Sequence, residues 1–101
     1  MERYTMTFPQ QEHKAIAERL NQGMICYTTR VFKELDRYKE GAEYNTPWND
    51  VIVVLEVKRF DKIAEHPFYD ELTGEQIEEI AMYSEKLGKP IELISFQLSK
   101  Q

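Results

Sequence analysis

Apolar and polar positions change period several times along this chain, and each change marks an element. Tyr4 to Phe8 alternates and is closed by Pro9, which predicts a short strand ending at a turn. From Pro9 to Gln22 the apolar residues Ala15, Ile16 and Leu20 fall at helical spacing, and Gly23 stands where a left-handed cap is wanted. A helix is predicted there. Met24 to Phe32 is rich in β-branched and aromatic residues and predicts a second strand. Lys33 to Tyr44 is charged and interrupted by Gly41, so it reads as a helical turn or a loop leading to a third strand near Glu43 to Asn45.

The stretch Val51 to Val57 carries the strongest strand signal, and its nearly continuous apolarity predicts cover on both faces, as at the centre of a sheet or barrel. After Phe60 the chain is irregular and broken by Pro67, with Ile63, Phe68, Tyr69 and Leu72 as anchors. Thr73 followed by Gln76 forms a capping box that predicts a helix start, and Gly88 with Pro90 marks its stop. Ile91 to Leu98 alternates from Ile94 onward and reads as a closing strand. The connections between strands are too short for regular crossover helices. The expected fold is therefore α+β: a strongly bent mixed sheet, mostly antiparallel, or a small barrel, with two main helices at its ends or sides.

Composition narrows this picture. With 101 residues, 42% apolar and 31% charged, and with no low-complexity tract, the chain is expected to form one folded domain over 1–101. Cys26 is the sole cysteine, so no internal disulfide can form and a small secreted disulfide scaffold is excluded. The longest apolar run, Val51 to Leu55, is far too short to span a bilayer, and the N-terminus shows no basic segment followed by an apolar one. No membrane association is expected, and the cytoplasm is the expected compartment.

The formal charge of -5 argues against a duplex-DNA binder that relies on counterion release. Its distribution is uneven: residues 1–62 carry ten acidic and ten basic side chains, whereas residues 63–101 carry eight and three. Cations able to meet a phosphate, among them Arg30, Lys33 and Lys58, therefore lie in the first part of the chain. An ordinary mixed solvated surface is the plain alternative for most of them.

A helix ending at Gly23, a strand carrying Thr28 and Arg30, a Lys-Glu-Gly turn at Lys39 to Gly41, the strand Val51 to Val57, a helix from Thr73 and a terminal strand together resemble the ASCH family, small barrel domains of the PUA-like superfold. That family typically shows a Gly, a Lys two positions later, a Thr or Glu, and an Arg seven positions after the Gly. Gly23, Thr28 and Arg30 fit this spacing, and Ile25 stands where the Lys would be. The resemblance implies recognition of a nucleotide, a modified nucleoside or single-stranded RNA. In the family's amidohydrolases, which deacylate acylated cytidine, the Lys and Thr act with a Glu at the start of the second helix. By that resemblance Thr28 and Glu78 would be the catalytic pair of an enzyme, with Glu75 and Glu79 as further candidates. The missing Lys counts against catalysis unless Lys33 or Lys58 reaches the same place.

Taken residue by residue, Arg30 near a strand end suits paired hydrogen bonds to a phosphate or carboxylate, and a surface salt bridge is its alternative. Thr28 and Thr29 offer hydroxyl contacts, and Thr28 a nucleophile as well, with ordinary strand packing as the plainer account. Tyr27 and Thr28 alternate, so one of them faces a pocket and the other does not. Tyr44 and Trp48 flank a turn and could stack a base, or else serve as core or lid. Cys26 and His66 form a thiol and base pair only if the fold brings them together; a lone strand Cys is usually a buried small hydrophobe. His13 and His66 lack the spacing of a helical zinc site, and neither a metal nor a cofactor is expected. Three functions remain: a binding module for a nucleotide, modified nucleoside or short RNA, an amidohydrolase of an acylated nucleobase, and a domain whose acidic second helix meets a basic protein partner.

Overall fold

A computed structural model describes residues 3–31 and 37–99. The chain is α+β, with a four-stranded sheet and two helices in the order α1 (His13–Asn21), β1 (Cys26–Arg30), β2 (Glu43–Asn45), β3 (Val51–Phe60), α2 (Gly74–Leu87) and β4 (Ile91–Leu98). The strands lie in the order β1-β4-β3-β2, and every neighbouring pair is antiparallel. The sheet is open: among the described residues no backbone ladder joins β1 to β2.

Residues Tyr4 to Phe8 do not make the strand predicted for them. They contribute one parallel bridge between Thr5 and Asn45. The Asn45 amide donates to the Tyr4 carbonyl and the Met6 amide to the Asn45 carbonyl, both at 2.9 Å. Beyond Met6 the segment leaves β2 and turns over the core, where the Phe8 ring packs 5.5 Å from Phe96. This bridge is isolated and lies outside the four strands, so the expected mixed sheet is corrected to an antiparallel one.

The first helix opens with a 3-10 turn at Gln10–Glu12, its last amide held by the Pro9 carbonyl at 2.9 Å, and becomes α-helical only at His13. It closes on Gly23 at φ 78, where the amides of Gly23 and Met24 reach back to the Leu20 and Arg19 carbonyls. A side chain is strained at that φ, so glycine belongs there. Helix α2 begins as the capping box predicts. Thr73 Oγ1 accepts from the Gln76 amide at 3.1 Å, and Gln76 Oε1 accepts from the Thr73 amide at 3.0 Å. It ends at Gly88, φ 63.

Strand β3 corrects the reading of Val51 to Val57 as covered on both faces. Its register slips between Val54 and Glu56, so Val54 opposes Phe96 and Val57 opposes Ile94. Residues three apart thus share the core face, with Leu55 squeezed out as an exposed bulge. The strand covered on both faces is β4, where Ile91, Glu92, Leu93 and Ile94 are all buried. It lies between β1 and β3, and helix α1 packs on one side of it. Glu92 is fully buried and ion-paired with Arg59 at 3.6 Å.

Met6, Leu20, Cys26, Tyr44, Ile52, Val54, Ile94 and Phe96 form the core on the α1 side of the sheet. On β1 the residues Cys26, Thr28 and Arg30 face this side, while Tyr27 and Thr29 face the other. In α2 no residue is fully buried. The helix therefore stands off the edge of the sheet rather than sealing it, and that separation makes the site.

Candidate functional site

A cavity of about 910 Å³ lies between β1 and α2. One wall is β1 from Tyr27 to Val31, and one end is Thr7 to Pro9 with Glu12. The opposite wall is His66, Phe68 and Leu72 together with Gln76, Glu79, Ile80 and Tyr83. The α2 residues recur at three- and four-residue spacing, so a single helix face looks into the cavity.

Arg30 lines this cavity, but its guanidinium is already engaged. It donates from Nε to Thr28 Oγ1 at 3.3 Å and from a terminal nitrogen to the Thr7 carbonyl. Its carbon lies 5.0 Å from the centre of the Phe8 ring and 5.8 Å from that of Tyr38. Burial presses its pKa down, opposed by Tyr38 and Glu12, and the group remains a cation. Arg30 therefore ties the end of β1 to the N-terminal segment and forms a rigid, charged corner of the cavity.

On the other face of β1, Thr29 meets His66, with Oγ1 2.7 Å from Nε2. His66 precedes Pro67, which disfavours helical geometry and leaves it extended, at φ -63 and ψ 127. The ring is buried and packs edge-on against Phe60, centres 5.4 Å apart. Its Nδ1 receives the Phe68 amide at 2.9 Å. Burial pushes the His66 pKa below its ordinary value, so the ring is neutral at pH 7. Tyr27 adds an edge-to-face contact with Phe68, centres 5.0 Å apart.

The other expected site residues fall into place around this geometry. Tyr27, Thr28 and Arg30 all line the cavity, which corrects the expectation that only one of Tyr27 and Thr28 would, because β1 is an edge strand and the cavity meets both of its faces. Lys58 does not; it borders an adjoining groove of about 270 Å³ that shares Tyr27, Phe68 and Leu93 with the main cavity, and it pairs with Glu56 at 3.4 Å. Lys33 lies outside the described residues. Tyr44 and Trp48 are corrected to structural roles. Tyr44 is 5% exposed, and its hydroxyl accepts from the Lys39 amide at 2.8 Å. Trp48 packs on Phe8 and His13 and donates from Nε1 to Asp50 Oδ2 at 2.8 Å. Neither lines the cavity. Glu78 also misses it, while Glu79, one position on, faces it.

Cys26 and His66 are not a nucleophile and base, because Cys26 points to the core face of β1 and His66 sits over the other. Burial raises the thiol pKa, which keeps Cys26 protonated. Among the described residues no group of three or more His, Cys, Asp or Glu side chains could hold a metal ion. None of the described helices is long and apolar enough to cross a membrane.

Sequence reasoning passed over Phe68, Gln76 and Tyr83 as site residues and weighed His66 only as a base for Cys26 or a metal ligand. For the helix residues a signal existed, since they continue the face begun by Ile80. For His66 there was none, because its partner lies 37 positions away. The charge of the cavity is also new information: Glu12, Glu71 and Glu79 face one guanidinium and a neutral imidazole. Comparison of the chain with protein-family models, with curated proteins and with solved structures finds no match.

Proposed function

We propose that this chain is a small PUA-like binding domain whose cavity between β1 and α2 takes a nucleoside or modified nucleoside, and that its open sheet is a variant of that barrel. The carrying observation is the lining: the aromatic rings of Tyr27, Phe68 and Tyr83 stand beside Thr28, Thr29, Gln76 and Glu79 in a cavity of about 910 Å³. Aromatic faces suit a flat heterocycle, and mixed donors and acceptors suit the edge of a base. Three carboxylates near one engaged guanidinium disfavour a phosphate, so nucleosides are favoured over nucleotides and over RNA.

Binding is favoured over amide hydrolysis for a related reason. A threonine nucleophile needs a base to take its proton. Thr28 Oγ1 instead accepts from Arg30, and His66 offers Thr29 no lone pair because Nδ1 is engaged by the Phe68 amide. Titration calorimetry with uridine, cytidine and adenosine and with their 5′-monophosphates tests the reading. The expected result is binding of at least one nucleoside, weakened by addition of the phosphate. Tighter binding of the monophosphates, or heat from none of the six, would overturn it.

A further inference from the structure

The hydrogens around His66 can be assigned from geometry. A backbone amide only donates, so the Phe68 amide at 2.9 Å requires a lone pair on Nδ1. A neutral imidazole then carries its one hydrogen on Nε2, and that hydrogen points at Thr29 Oγ1, 2.7 Å away. The Thr29 oxygen is thereby the acceptor in this contact, so its own hydrogen cannot point back at the ring. Thr29 lines the cavity.

We infer that His66 sets Thr29 as a fixed hydrogen-bond donor into the cavity, and that the site selects heterocycles presenting a ring carbonyl to that hydroxyl. This rests on the reading of the cavity as a nucleoside site. The relay runs one way: Phe68 amide to His66, His66 to Thr29, Thr29 to ligand. Each donor is oriented before the ligand arrives, so little ordering is left to do on binding. A ligand with no acceptor at that point leaves the hydroxyl hydrogen unmatched in a partly buried place, a loss that discriminates strongly between otherwise similar rings. Glu79, across the cavity on α2, supplies the complementary acceptor for a ring N–H or amino group. Pyrimidine nucleosides carry both features on one ring, whereas the base of adenosine has no carbonyl. His66 is accordingly a positioning residue, and Thr29 the residue that touches the ligand.

Two measurements test this. The first is a two-bond proton–nitrogen correlation spectrum of the free 101-residue chain at pH 7.5, which reads the His66 tautomer directly. A protonated Nε2 with an unprotonated Nδ1 is expected, and the reverse overturns the donor assignment. The second is calorimetry with uridine and adenosine on wild type, Thr29→Val and Thr29→Ser. Thr29→Val is expected to weaken uridine about tenfold while leaving adenosine unchanged, and Thr29→Ser to keep uridine within about twofold of wild type. Equal uridine affinity in wild type and Thr29→Val would overturn the carbonyl selection. If neither nucleoside binds wild type, the nucleoside reading falls and takes the carbonyl selection with it, while the spectrum of the free protein still decides the donor assignment.

Discussion

Thr29 and His66 stand 37 positions apart in the chain, yet their Oγ1 and Nε2 atoms are 2.7 Å apart on the outer side of β1. This contact joins an edge strand to the irregular stretch that leads into α2, and so it fixes one wall of the cavity against another.

Because burial lowers the His66 pKa below its ordinary value of 6.5, the unfolded chain binds this proton more readily than the folded one. The contribution is fully present above pH 6.5 and is lost as pH falls through the lowered folded value. Protonation also puts a hydrogen on Nδ1, facing the Phe68 amide, and breaks that bond. Urea unfolding at pH 7.5 and pH 5.5 is expected to show a smaller loss of stability in His66→Gln than in wild type. An equal loss in both would show that His66 does not carry the effect.

Arg30→Met keeps much of the side chain's bulk and removes its cation. It should cost about 1–3 kcal/mol, since two hydrogen bonds and the stacking on Phe8 and Tyr38 go together. The check is the midpoint of urea unfolding, with hydrogen exchange at Met6 and Asn45 as the local readout. Loss of protection there, ahead of the core strands, is expected, because Arg30 holds the segment that pairs with β2.

Glu78 and Glu79 are adjacent, similar in chemistry and differently aimed. Glu79→Gln is expected to weaken any nucleoside bound by the cavity several-fold, while Glu78→Gln leaves it unchanged. Calorimetry on the two variants decides, and the opposite order would place the working carboxylate elsewhere.

Thr73→Ala removes the side-chain half of the α2 capping box and should cost about 1 kcal/mol. Thermal unfolding reads this as a drop in Tm of a few degrees. Cavity binding should weaken as well, because Gln76 is both the reciprocal capping residue and part of the lining.

Local chemistry was legible where local rules suffice. Gly23, Thr73 with Gln76, and Gly88 mark helix ends through hydrogen bonds that span only a few residues, and the helices stop and start there. Arg30 and Thr28 were singled out through the resemblance, and they meet because alternate residues on a strand share a face. Tyr44 and Trp48 stayed undecided in the sequence, because an aromatic beside a turn has the same local pattern whether it stacks a ligand or closes a core. Tyr4 to Phe8 has a strand's alternation but finds a partner for only one bridge before Phe8 is drawn over Phe96.

Periodicity and capping by themselves determined both helices, four of the five strands expected and the approximate limits of α2, β2 and β4, and the short connections added an α+β arrangement built mostly from antiparallel strands. Those properties depend on interactions within a few residues, which composition and spacing encode directly. Tertiary structure alone decided that β4 lies inside the sheet, that a bulge at Leu55 carries Val57 back to the core face, and that His66 closes on Thr29. Strand order and register minimise exposed apolar area and leave few polar groups unmatched across the whole molecule, and no window of neighbouring residues contains that sum.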